Sequence, residues 1–100
     1  MTDTSDASRF AQPTVQADND RTRVTRWDFA PGAETGFHRH EYDYVIVPVT
    51  TGSLRLVDGQ GKETLAPLQA GVSYFREVGV EHNVFNANDF PFAFVEVEFK

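Results

Sequence analysis

From Thr14 onward the chain alternates short apolar stretches with turn residues, and within the stretches the hydrophobic period is two, not 3.6. In "VTRWDFA", Thr25, Trp27 and Phe29 fall on one side of an extended strand, with Val24, Arg26 and Asp28 on the other. Pro31 and Gly32 mark a turn. "FHRH" continues as a strand, and "YVIVPV" is a β-branched run. Both faces of that run are apolar, so it should be covered on both sides, with Pro48 at an edge or a bulge. "TTG" turns into "SLRLV", and "DGQG" is a strong hairpin signal. "ETLAPL" and "VSYF" follow, separated by "QAG", and "HNVFN" is short and strand-like. "DFP" turns into a last strand, "FAFVEVEF". In this strand Glu96 and Glu98 alternate with Val95, Val97 and Phe99, which reads as a solvent-exposed acidic face. If that face lines the interior instead, Glu96 becomes a candidate base or a partner for Arg26.

No stretch sustains an i, i+3, i+4, i+7 pattern, so an all-β antiparallel sandwich or barrel is predicted. Residues 1–13 are small and polar and end at Pro13; they read as a flexible tail in which only Phe10 could dock. Residues 14–100 then form one domain, with no room for a second module.

The formal charge of −6 makes nucleic acid and anionic membrane surfaces poor candidate partners. No apolar run approaches the roughly 20 residues of a membrane-spanning helix. The opening "MTDTSDASRF" has neither a basic nor an apolar region of the kind a secretory signal carries, so a cytoplasmic location is expected. With no cysteine, disulfides, thiolate metal sites and a Cys nucleophile are excluded.

The chemistry concentrates on the three histidines. His38 and His40 are spaced His-x-His, which puts both imidazoles on one side of a strand, and His82 follows on a different strand. Three neutral imidazoles suit a divalent transition metal such as Fe, Zn, Ni or Mn and leave positions open for water or substrate. Tyr42, Asp43 and Tyr44 follow the histidine pair as candidates for a fourth ligand or for a side chain that orients an imidazole; Glu41 reads as solvated. Asn86 is a candidate for a hydrogen bond near the site or for a turn.

Flanking residues extend the pattern. Gly32, His38, His40 and Gly52 form one frame, and Gly71, Gly79, His82 and Asn86 a second. These frames resemble the two motifs of the cupin superfamily, Gly-x5-His-x-His-x4-Glu-x6-Gly and Gly-x5-Pro-x-Gly-x2-His-x3-Asn. The chain matches every Gly, every His and the Asn over residues from about 22 to 100. Within the superfamily it is similar to small single-domain bacterial cupins, including a group named for beta-alanine degradation. The resemblance implies a double-stranded β-helix (jelly roll) with a metal in the barrel, held by His38, His40 and His82.

Two positions depart from the motifs: the family Glu aligns with Val45, and the family Pro with Glu77. The first leaves three neutral ligands and the full charge of a divalent ion, which favours a small anionic or enolate-forming molecule. Three readings follow. One is an enzyme of dioxygenase, lyase or isomerase type. The second is a metal-dependent protein that binds or senses a small molecule, and the third a structural protein with a relict site. The aromatic and β-branched content also suggests a homodimer, with "YVIVPV" and the last strand as its interface.

Overall fold

A computed structural model describes residues 9–100. The strands are β1 (Gln12–Asp18), β2 (Thr22–Phe29), β3 (His38–Arg39), β4 (Asp43–Pro48), β5 (Gly52–Asp58), β6 (Glu63–Leu68), β7 (Tyr74–Arg76), β8 (Glu81–Asn86) and β9 (Phe92–Phe99). They form two antiparallel sheets, one in the order β1-β2-β9-β4-β7 and the other β3-β8-β5-β6. The core lies between them: Phe29, Tyr44, Ile46, Phe92 and Phe94 come from the first sheet and Leu54 and Val84 from the second. This is the jelly-roll arrangement expected from the alternating pattern.

The "DGQG" stretch closes the β5–β6 hairpin. Asp58 N–H donates to the Lys62 carbonyl at 3.0 Å, and Asp58 Oδ1 accepts from the N–H groups of Gln60 and Lys62. Gly52 has a steric reason: a Cβ there would stand 2.8 Å from Asn88 Nδ2. Pro67 sits on β6, at the edge of its sheet, where a missing N–H is tolerated.

The chain joins the fold before the expected boundary at Thr14. Residues 1–8 of the expected tail lie outside the described residues. Beyond them Ala11 is buried and its N–H donates to the Glu34 carbonyl at 2.8 Å, while Gln12 and Pro13 already pair with β2. The composition of this stretch is polar because β1 is an exposed edge strand, not because it lacks partners.

Cross-strand register organises the five-stranded sheet into rows. On its inner face Phe29 pairs with Phe92, and Trp27, Phe94 and Pro48 form the next row. Then come Thr25, Glu96, Ile46 and Tyr74, and finally Arg23, Glu98, Tyr44 and Arg76. The inner face therefore grades from fully apolar at one end to charged at the other. Glu96 and Glu98 are buried, which corrects the reading of an exposed acidic face. Because β9 is flanked on both sides, its phase is set by Phe92 and Phe94 entering the core, and the glutamates at the same parity must follow.

The outer face carries Val24, Val97, Val45 and Phe75 in one row and Val95 and Val47 in the next. On this side of "YVIVPV" Val45 and Val47 are only partly buried, while Tyr44, Ile46 and Pro48 on the inner side are buried, so within one chain the two faces are not equally covered as expected.

Phe29, 1% exposed and 5.4 Å between centroids from Phe94, anchors the apolar end. Phe29→Ala is expected to lower the unfolding free energy by about 3–5 kcal/mol, read from the midpoint shift in urea denaturation.

Candidate metal centre

β3 pairs with β8 so that His38 stands directly opposite His82. β3 is only two residues long, and His40 follows it rather than lying within it. Two backbone bonds hold His40 in place: its N–H donates to the Val80 carbonyl at 2.8 Å, and its carbonyl accepts from Gly79 N–H at 2.9 Å. Gly79 has φ +99, a left-handed conformation that favours glycine, and this explains the second motif's glycine three residues before His82.

The three imidazoles converge. His40 Nε2 lies 2.9 Å from His38 Nε2 and 3.1 Å from His82 Nε2, with the rings 71° to 81° apart. An ion about 2.1 Å from each nitrogen holds neighbouring nitrogens roughly 3.0 Å apart at right angles, so the donor set fits a divalent transition metal. The His38 tautomer is set by a carbonyl: Nδ1 lies 2.8 Å from Gly36 O, which can only accept, so Nδ1 carries the proton and Nε2 keeps its lone pair. Gly36 takes φ +85, which turns this carbonyl back toward the ring.

His40 packs flat on Tyr44, with centroids 3.8 Å apart and planes 13° from parallel. Its Nδ1 is 3.6 Å from Glu96 Oε2, and the other Glu96 oxygen accepts from Trp27 Nε1–H at 3.4 Å. Burial and the positive charges around it hold His40 down to about 3, and the same causes bring His82 to about 4. Both are neutral near pH 7, the form that binds a metal. Burial, with Glu98 nearby, pushes the Glu96 carboxyl up to about 7.

The cluster opens on a cavity of about 400 Å³ whose wall is largely apolar, with Ile46, Leu54, Leu56 and Val84 among its lining residues. Glu96, Glu98, Arg23 and Arg76 give it polar points.

The other candidates divide sharply. Tyr44 touches the cluster. Asp43 does not: its Oδ1 accepts from Val78 N–H at 2.7 Å and ties down the turn before β8. Tyr42 stands near Arg23, whose guanidinium carbon is 6.0 Å from the ring centroid. Asn86 is buried away from the histidines. Its Nδ2 donates to the carbonyls of Phe90 and Ala30, and its Oδ1 accepts from Asn88 N–H. Asn86 thus clamps the turn that holds Gly32 to the loop after β8. Val45 lies on the outer face, so the strand residue of "EYDYV" that faces the cavity is Tyr44, while Glu41, before the strand and exposed, also borders the cavity. The motif spacing aligned Val45 with the family Glu, but strand alternation aims the residue before it inward.

Sequence reasoning missed Thr35, Gly36 and Arg76. Thr35 Oγ1 lies 3.3 Å from His38 Nδ1 and accepts from Val84 N–H. A loop carbonyl and a residue on a three-residue strand leave no periodic signal.

Comparison with known proteins agrees with this geometry. Residues 25–98 match the cupin domain model. The chain belongs to the cupin family. It is 58% identical over 90 residues to the beta-alanine degradation protein BauB of Pseudomonas aeruginosa, covering 90% of this chain and 94% of that protein. A cupin domain of Bordetella pertussis has a crystal structure that superposes with a TM-score of 0.87 at 56% identity, over 91% of this chain and 94% of that one. A double-stranded β-helix protein of Klebsiella pneumoniae gives a TM-score of 0.72 at 26% identity, over 88% and 70%.

Asn86→Ala removes a buried donor from three carbonyls, those of Phe29, Ala30 and Phe90. It is expected to destabilise the fold by about 2–3 kcal/mol in urea denaturation while leaving the near-UV signature of the Tyr44 and Trp27 end of the cavity unchanged at low temperature.

Proposed function

We propose that this cupin holds a divalent transition metal on His38, His40 and His82 and is an enzyme acting on a small anionic organic molecule. The observation that carries the reading is the convergence of three lone-pair nitrogens at about right-angle metal spacing, on the wall of a cavity large enough for a small molecule. When bound, the metal supplies a Lewis acid with positions left for substrate, the basis of dioxygenase, lyase and isomerase chemistry.

The chain's own residues orient and shield. The Gly36 carbonyl fixes the His38 ring, Tyr44 stacks on His40, and Glu96 brings a carboxyl beside His40 Nδ1. Ile46, Leu54 and Val84 give the cavity that the cluster lines an apolar wall. The ligands are all neutral, so the ion's charge is not reduced by the donor set, and an anion is the natural guest. The likeness to a protein named for beta-alanine degradation supports a substrate among short carboxylates, the class to which beta-alanine belongs.

The experiment is elemental analysis of anaerobically purified protein with a His40→Ala control. Near-stoichiometric metal is expected in the native chain, and its loss in the variant. Absence of metal from the native chain even after reconstitution overturns the reading. A small molecule that binds the metal-loaded protein and is never converted moves it from enzyme to binding protein.

The outer face of the five-stranded sheet supports a homodimer. Val24, Val97, Val45 and Phe75 run side by side across four strands, and Phe75 is 55% exposed. A second copy related by a two-fold axis covers such a row with the same row. Val97→Arg places like charges face to face in that pairing. Light scattering is expected to change from dimer to monomer; a native chain that runs as a monomer counts against the dimer.

A further inference from the structure

The charged row at the cavity mouth has one unmatched member. Arg23, Glu98, Tyr44 and Arg76 stand side by side on the inner face. Glu98 is taken: Arg23 Nε donates to its Oε1 at 2.8 Å. Arg9, Arg26 and Arg55 are also matched, with Glu34, Asp28 and Glu63, while Arg21 and Arg39, which have no such partner among the described residues, are exposed to solvent, Arg39 among the residues that line the cavity. Arg76 has no carboxylate within ion-pair distance among the described residues, although it is half-buried and lines the cavity. Arg76 also lines a smaller cavity with Asp58, Lys62 and Glu81, and neither acid is within ion-pair distance of it.

A half-buried arginine without a counter-ion is costly to the extent that its charge leaves water, unless something else supplies the anion. Its position relative to the histidines is close enough to matter. Tyr44, its cross-strand neighbour, stacks on His40, and the charge of Arg76 disfavours protonation of both His40 and His82. Much of the remaining wall is apolar, with Ile46, Leu54, Leu56 and Val84.

We infer that Arg76 is the carboxylate anchor of this cavity, so that the ligand is a short carboxylate with its acid group on the Arg76 fork and its other polar end toward the histidine cluster. The planar guanidinium matches a carboxylate with two parallel N–H donors, which a lysine cannot reproduce. Glu98 holds Arg23 out of competition, and Glu96, on the neighbouring row, offers a carboxylate placed deeper no cationic partner. The acid group is therefore held at the mouth. The inference rests on the reading of the cavity as a ligand site but not on the identity of the metal.

The test uses malonate as the probe and malonamide as its carboxylate-free control. Calorimetric titration is run on native protein, Arg76→Gln and Arg76→Lys, each with and without added metal. Metal content and thermal unfolding are measured on the same samples. Malonate is expected to bind native protein about tenfold or more tightly than Arg76→Gln, with Arg76→Lys between them. Malonamide is expected not to distinguish the three. Equal malonate affinity in native protein and Arg76→Gln, or no malonate binding to native protein, overturns the anchor. Arg76-dependent malonate binding by protein that takes up no metal upholds the anchor and removes the metal instead. An Arg76→Gln chain that fails to fold leaves Arg76→Lys to decide: its affinity must fall below native at unchanged metal content, and native affinity overturns the anchor.

Discussion

β9 lies between β2 and β4, paired with β2 along its whole length and with β4 from Phe94 to Phe99. Its eight side chains are thereby committed to one of two faces with no freedom to slip, since a shift by one residue would expose Phe92 and Phe94 and bury Val95 and Val97. The same commitment carries Glu96 and Glu98 inward. Two buried carboxylates are a liability in an apolar core. They are tolerated because they lie toward the end of the strand where the sheets enclose a cavity instead of packing shut, and because Trp27 and Arg23 donate to them. The polar end of the barrel is thus a consequence of the pairing that builds the apolar end.

The histidine cluster uses that end from the opposite sheet. β8 carries His82 into the cavity and lies beside β3, which puts His38 across from it. His40 arrives from the turn beyond β3 and rests on Tyr44 of the facing sheet. The cluster therefore joins the two sheets at the mouth as the aromatic residues join them at the base. Around the three rings, orientation comes from backbone as much as from side chains: the Gly36 carbonyl and the Gly79 amide both depend on residues with positive φ. This gives the motif glycines and their neighbours a role in ligand geometry, not only in turning the chain.

Electrostatically, the cavity sets one carboxyl beside the histidines and one half-buried arginine, Arg76, without a carboxylate partner among the described residues, on opposite sides of Tyr44 and Ile46. A neutral donor set leaves a bound ion's charge available to the guest, and the arginine adds to it. On the proposed reading, this asymmetry selects for anions and for one orientation of them.

The sequence by itself was enough for the fold class, for most strands and for the three histidines, because period-two alternation, glycine turns and metal-ligand spacing are local properties that survive in one dimension. The pairing of His38 and His40 with His82 followed from motif order alone. What the tertiary structure decided was the facing of polar residues. Glu96 and Glu98 could lie on either face of the last strand until its neighbours were known. Tyr44 and Val45 were one residue apart, and only the register with β9 separates the ring that touches His40 from the side chain that faces outward. Asn86 and Asp43 bear polar groups near the histidines in sequence yet spend them on loop carbonyls and a turn amide. Arg76 sits on a strand too short for periodicity to register, and its lack of a partner is a property of three elements at once. Local pattern determines which elements form; which charges meet, and which are left unmatched, depends on contacts between residues far apart in the chain.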